Sequence, residues 1–256
     1  MQWFTQLDAW VQALIVSLMM YLMTALGASF VFFSKRLNQT FLTALTGLAA
    51  GIMIAACFFS LLLPAIEAES ALPSYATVTI GFALGCAFIL ISDFALSRSK
   101  LSFHGIGDKK NALLFLAVTL HNVPEGMSVG VAFAVAASGG GVLSAFLLAV
   151  GIAVQNFPEG MCVAFPLRAK GMSPLRSFAF SQGSGLVEIP ACILGALAAT
   201  AIAGLLPWAL SFSAGAMIAV VCSELIPECF EGNKMVASAG LAAGFCLMMI
   251  LDLALG

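Results

Sequence analysis

The chain has 256 residues, of which 62% are hydrophobic and 9% charged, with a net charge of −2 and a mean hydropathy of +1.09. A soluble globular domain would carry about 25% charged residues, so this composition excludes that class and gives no basis for a nucleic-acid partner. It predicts an all-α integral membrane protein whose main surroundings are the lipid bilayer.

Taken in chain order, the start "MQWFTQLDAW" lacks the basic n-region of a signal peptide. Apolar runs then predict eight transmembrane helices in one polytopic domain covering residues 1–256. They lie near 10–33, 41–64, 76–96, 112–136, 142–166, 178–203, 207–228 and 236–255, each long enough for a hydrocarbon core about 30 Å thick. The connections are short. After spans one, three, five and seven they carry Lys35 and Arg36; Arg98, Lys100, Lys109 and Lys110; Arg168, Lys170 and Arg176; and Lys234. These are all ten basic residues, so the positive-inside rule puts those loops in the cytoplasm and both termini outside, as in a bacterial inner membrane. The seven cysteines form no CxxC pair and read as small buried hydrophobes rather than metal ligands or disulfides.

Two kinds of repetition organise the runs. "AGIMIA" in span two resembles "AGAMIA" in span seven, and "GFALGCAFILISDFAL" in span three matches "GLAAGFCLMMILDLAL" in span eight, pairing Gly85 with Gly244 and Asp93 with Asp252. Five spans separate each pair, so the related helices cross in opposite directions. Spans one to three and six to eight then form an inverted repeat around spans four and five, an arrangement that places a transporter's site near the midplane. The second repetition is polar: "HNVPEG" from His121 in span four and "QNFPEG" from Gln155 in span five.

In each hexapeptide the first and fifth residues, His121 and Glu125 or Gln155 and Glu159, share a helix face, with Asn122 or Asn156 beside them. Pro124, Pro158 and Pro190 each remove a backbone donor and press on an upstream carbonyl. Span six adds Glu188. A charged residue at a helix centre costs about 2.5–3.5 kcal/mol on insertion scales, and no basic residue lies mid-span to neutralise these three. Either protons or a bound cation must satisfy them. Carboxylates, imidazole and amide oxygens suit a divalent transition metal rather than a soft thiolate-binding ion, and three carboxylates could hold two ions with Glu125 and Glu159 bridging.

These motifs resemble the metal-binding motifs of the ZIP (Zrt/Irt-like) divalent metal transporters, in particular their GufA-like branch. The resemblance extends to "GIMIAACFFSLLLPAIE", Glu188 and "CSELIPE". It implies a binuclear site. One metal would use His121, Glu125, Gln155 and Glu159, with Met53 either a ligand or core filler; the other would use Asn122, Glu125, Asn156, Glu159 and Glu188. It also implies secondary import of Zn²⁺, with Fe²⁺, Mn²⁺ and Cd²⁺ as further cargo and no cofactor, by an elevator-like slide of spans one, four, five and six. Many members carry His where this chain has Gln155, a harder and weaker ligand. Ser60 and Glu67 are expected at the outer mouth, and Glu224 and Glu228 at the inner one; for Glu67, Glu69, Glu228 and Glu231 a solvated loop charge is the other reading. Asp93 and Asp252 read equally as helix-end pairing or as transport residues, and His104 as a lone loop histidine. No Walker loop is present. An intramembrane zinc hydrolase is the alternative, though it would want HExxH. A homodimer is left open.

Overall fold

The structure is a computed structural model and describes residues 2–34, 38–98, 109–137, 141–169, 171–202 and 204–255. Lys35, Arg36, Lys100, His104 and Lys170, on which the expected charge partition and one lone histidine fall, lie outside the described residues. Among the described residues every regular element is helical. A short α1 (Gln2–Thr5) precedes α2 (Ala9–Ser29), which ends in a 3-10 turn, Phe30–Phe32. α3 (Gln39–Ala56) passes through a π-helical turn, Cys57–Leu62, into α4 (Leu63–Glu67). α5 (Ser74–Arg98), α6 (Lys109–Ala137) and α7 (Val142–Ala169) follow. α8 (Pro174–Gly185) and α9 (Glu188–Ala201) form the next rod. α10 (Leu206–Val220) runs through a second π-helical turn, Val221–Leu225, into α11 (Ile226–Glu231), and α12 (Lys234–Leu255) ends the chain.

Local chemistry explains the starts and irregularities. Asn38 Oδ1 accepts from the Thr40 and Phe41 amides at 2.9 and 3.4 Å and caps α3. Ser173 does the same for α8 from Arg176 N, with Pro174 at the first helical position. Each π-helical turn leads into a proline, Pro64 or Pro227, whose ring presses on the carbonyl four residues back and widens the turn. Pro190 presses on Leu186 in the same way, and the rod breaks between α8 and α9 at Leu186–Val187. α6 and α7, by contrast, continue through Pro124, Pro158 and Pro166.

Among the described residues seven rods are long and apolar enough to cross a membrane: Ala9–Phe32, Gln39–Glu67, Ser74–Arg98, Val142–Ala169, Pro174–Ala201, Leu206–Glu231 and Lys234–Ala254. The protein is therefore a multi-pass, all-α membrane protein. α6, expected as the fourth span, is not among the seven. Its 29 residues are ample in length, but it begins at two lysines and carries His121, Asn122 and Glu125.

The rods pack as four intimate pairs, α2 with α7, α6 with α9, α3 with α12 and α5 with α10. Small residues let backbones touch. A Cβ on Gly51 would collide with the Leu241 carbonyl and one on Gly215 with the Phe82 carbonyl; Gly85 meets the Phe212 carbonyl and Gly244 that of Leu48. The alignment that pairs Gly51 with Gly215 also pairs Leu48 with Phe212, and the one that pairs Gly85 with Gly244 also pairs Phe82 with Leu241. Every contact in this set is thus carried onto another by the repeat. The two π-helical turns are mates in the same alignment, Cys57 matching Val221.

Two four-helix units result: α3, α5, α10 and α12, and α2, α6, α7 with α8–α9. Where the units meet at Gly151, its neighbours are the ends of side chains, Met248 Sδ at the closest point and Ile52 Cγ2. The large buried side chains Phe133, Ile52, Leu148 and Met217 belong to one continuous apolar core that spans both units.

Candidate functional site

α6 and α7 run antiparallel: Glu125 lies opposite Gln155, while further along Phe133 and Phe146 both contact Phe4, with ring centroids 5.9 and 6.5 Å away. The two hexapeptides therefore meet. Gln155 Nε2 donates to Glu125 Oε1 at 2.8 Å. Asn156 Nδ2 donates to both carboxylate oxygens of Glu188, at 2.9 and 2.8 Å, and lies 3.5 Å from the Met20 carbonyl. Asn122 Nδ2 donates to the Ser184 carbonyl at 2.9 Å. Asn122, Glu125, Gln155, Asn156 and Glu188 are each at most 2% exposed. Glu159 is half-buried and close enough for its charge to act on both Glu125 and Glu188.

The orientation of these amides is fixed by their acceptors. A carboxylate or a backbone carbonyl can only accept from an NH₂, so the amide oxygens must turn the other way. Asn122 Oδ1, Gln155 Oε1, Asn156 Oδ1 and Glu125 Oε2 are all buried without a hydrogen-bond donor. Buried polar atoms normally have a partner, and these four oxygens, clustered within one pair of motifs, could hold a cation. The described Lys and Arg residues all lie at the rod ends, so among the described side chains no Lys or Arg neutralises the cluster. Among the described residues, no three His, Cys, Asp or Glu side chains could hold a metal on their own; the donor set is carboxylate plus amide, a hard oxygen site.

The remaining expected residues divide. The backbone of His121 lies on α6 one turn before Glu125, and its side chain lies outside the described residues. Met53 is buried in the apolar core on α3, one turn before Cys57, which the Glu125 charge reaches. Ser60 Oγ donates to Asp252 Oδ1 at 2.8 Å, and the second Asp252 oxygen is buried without a donor. Both line a cavity of about 270 Å³ that also touches Ala132 near the end of α6 and Leu148 on α7. Glu67, Glu69, Glu228 and Glu231 are exposed, and Glu224 and Asp93 half-buried. The seven cysteines are all free; Cys57, Cys192 and Cys229 are buried as expected, whereas Cys222 and Cys246 are exposed on the flank of the bundle.

Sequence reasoning missed three participants. Ser128, buried, donates from Oγ to the Glu125 carbonyl at 2.7 Å. The Met20 and Ser184 carbonyls anchor the two asparagines. Backbone acceptors carry no sequence signal, although two buried Asn NH₂ groups had to find acceptors somewhere.

Comparison with known proteins gives the chain's family. The family described as ZIP Zinc transporter matches residues 104–252. The chain is 39% identical to "Zinc transporter GufA" of Myxococcus xanthus over 254 residues, covering 95% of this chain and 98% of that protein. It is 32% identical to human "Zinc transporter ZIP11" over 333 residues, covering 96% and 97%. It is 36% identical to "Zinc transporter ZIPB" of Bordetella bronchiseptica over 244 residues, covering 91% and 78%. Matched over nearly its whole length by these relatives, the chain belongs to the ZIP zinc transporter family.

Proposed function

We propose that this protein is a secondary transporter that imports divalent transition-metal ions, Zn²⁺ foremost and Fe²⁺, Mn²⁺ and Cd²⁺ besides, through the joined hexapeptides. One observation carries the reading: among the described residues, two fully buried carboxylates, Glu125 and Glu188, accept from amides alone, and Glu125 Oε2 and three amide oxygens have no donor, in rods with no mid-span Lys or Arg. Metal there satisfies what would otherwise be an expensive set of buried charges. Glu125 and Glu159 bridge two ions. His121, Gln155 and Met53 complete one ligand set; Asn122, Asn156 and Glu188 complete the other.

In this reading α6 crosses the bilayer as an eighth span, with both termini outside a bacterial inner membrane, following the distribution of basic residues. Ser60 and Glu67 belong to the outer mouth, Glu224 and Glu228 to the inner one, where acidic groups concentrate cations. The α2, α6, α7 and α8–α9 unit slides as a body against the α3, α5, α10 and α12 unit. Support comes from the contacts themselves: glycines lock backbones within each unit, while flexible Met248 bears on Gly151 between them. Nothing favours the hydrolase alternative; the relatives are named as zinc transporters, and neither hexapeptide is HExxH.

The test is zinc uptake into proteoliposomes by the wild type and by Glu125→Ala and Glu188→Ala variants. Uptake that is abolished in both, at normal protein levels, is the expected result; full uptake in both contradicts the reading.

A further inference from the structure

The inverted repeat assigns the residues of the site mates, and in one pair a carboxylate has an uncharged mate. Gly126 packs on the Glu188 backbone and Gly160 on the Thr24 backbone. Asn122 reaches the Ser184 carbonyl and Asn156 that of Met20. Met20 stands to Ser184, and Thr24 to Glu188, as Gly51 stands to Gly215, at the same interval in the chain. The operator that exchanges the two hexapeptides therefore exchanges Thr24 with Glu188. Glu188 is bonded to Asn156, so the corresponding place beside Asn122 belongs to Thr24.

Contacts independent of the repeat put Thr24 there as well. It is 1% exposed. Its hydroxyl lies 3.5 Å from the Met20 carbonyl that Asn156 also approaches, a long and weak bond. Its Oγ1, Cβ and Cγ2 all press on Gly185, next to the carbonyl that holds Asn122. Thr24 is thus wedged between the anchor points of the two asparagines, whose Oδ1 atoms both lack donors.

We propose that Thr24 is an unrecognised residue of the cargo site: its hydroxyl is the neutral counterpart of Glu188 and supplies an oxygen, beside Asn122, to the divalent ion that Asn122, Asn156 and Glu188 hold. This rests on the metal-site reading above. It makes the surroundings of that ion unequal, acidic at Glu188 and uncharged at Thr24.

The experiment is a Cd²⁺ titration of the purified full-length Thr24→Cys protein in nanodiscs, followed by ultraviolet absorbance. The wild type is the reference, because Cys57 and Cys192 also lie close to the site carboxylates. A thiol at this position converts a hard donor to a soft one, so Cd²⁺ affinity should rise about tenfold relative to Mn²⁺. A saturable thiolate-to-cadmium charge-transfer band should appear beyond that of the wild type. Thr24→Val, close in volume, should lower Zn²⁺ affinity several-fold while Thr24→Ser stays near wild type, a rescue that packing alone would not produce. A Cys variant that binds Cd²⁺ as the wild type does, with no added band, overturns the assignment, and this arm decides even if the Val variant fails to fold. Equal Cd²⁺ binding by wild type and Glu188→Gln would instead sink the underlying metal-site reading.

Discussion

The two four-helix units use one packing rule for opposite ends. In α3, α5, α10 and α12, glycines set backbone on backbone, and the buried polar groups are mostly isolated hydroxyls such as Thr46 and Ser211, with Ser60 bonded to Asp252 at one edge. In α2, α6, α7 and α8–α9 the same kind of glycine contact brings Asn122, Glu125, Gln155, Asn156 and Glu188 together with scarcely any exposure. Close packing alone therefore does not make a site. What distinguishes the second unit is a cluster of four donor-less oxygens on two facing motifs; in the first, the one such carboxylate oxygen among the described residues is that of Asp252 beside Ser60. Rigidity in both units, with side-chain contact between them, is what a sliding mechanism needs.

Breaking the polar half should have the largest effect. Glu125→Ala or Glu188→Ala should lower zinc affinity by about 100-fold or more, since even partners of metal ligands cost 10–100-fold; isothermal titration of the purified protein measures it. Next comes the packing rule common to both units. Gly51→Leu and Gly215→Leu meet equivalent carbonyls, and overpacking of this kind costs about 1–3 kcal/mol. The two should lower the melting temperature by similar amounts; a large inequality would argue against the structural repeat. Stiffening the contact between units by Met248→Ile should slow uptake several-fold with zinc affinity unchanged, which separates sliding from binding. Acidification should reduce uptake, because protons compete with metal for the carboxylates and His121. Smallest of all, Ser60→Ala removes one hydrogen bond to Asp252, worth about 1 kcal/mol, and should reduce the initial rate at limiting zinc by a few-fold.

Much of this was legible because polar residues stand out in apolar runs. The doubled hexapeptide marked out the candidate site, and Pro190 announced the break before α9. The glycine spacings announced close approach, but not which carbonyl each glycine would meet, since a backbone acceptor has no letter of its own. Asp252 was visible as the mate of Asp93, yet its bond to Ser60 depends on α12 packing against α3 and the π-helical turn beyond it. Thr24 was invisible for a different reason. One threonine in a membrane helix is unremarked until the operator relating α2 to α9 places it opposite a glutamate.

The central claim is that Glu125, Glu159 and Glu188 converge on shared metal. Anomalous diffraction from crystals of the Cd²⁺-loaded protein tests it most directly. The account predicts anomalous peaks between α6 and α7, within coordination distance of these carboxylates; cadmium found only at the exposed glutamates or cysteines, with that region empty, would contradict it.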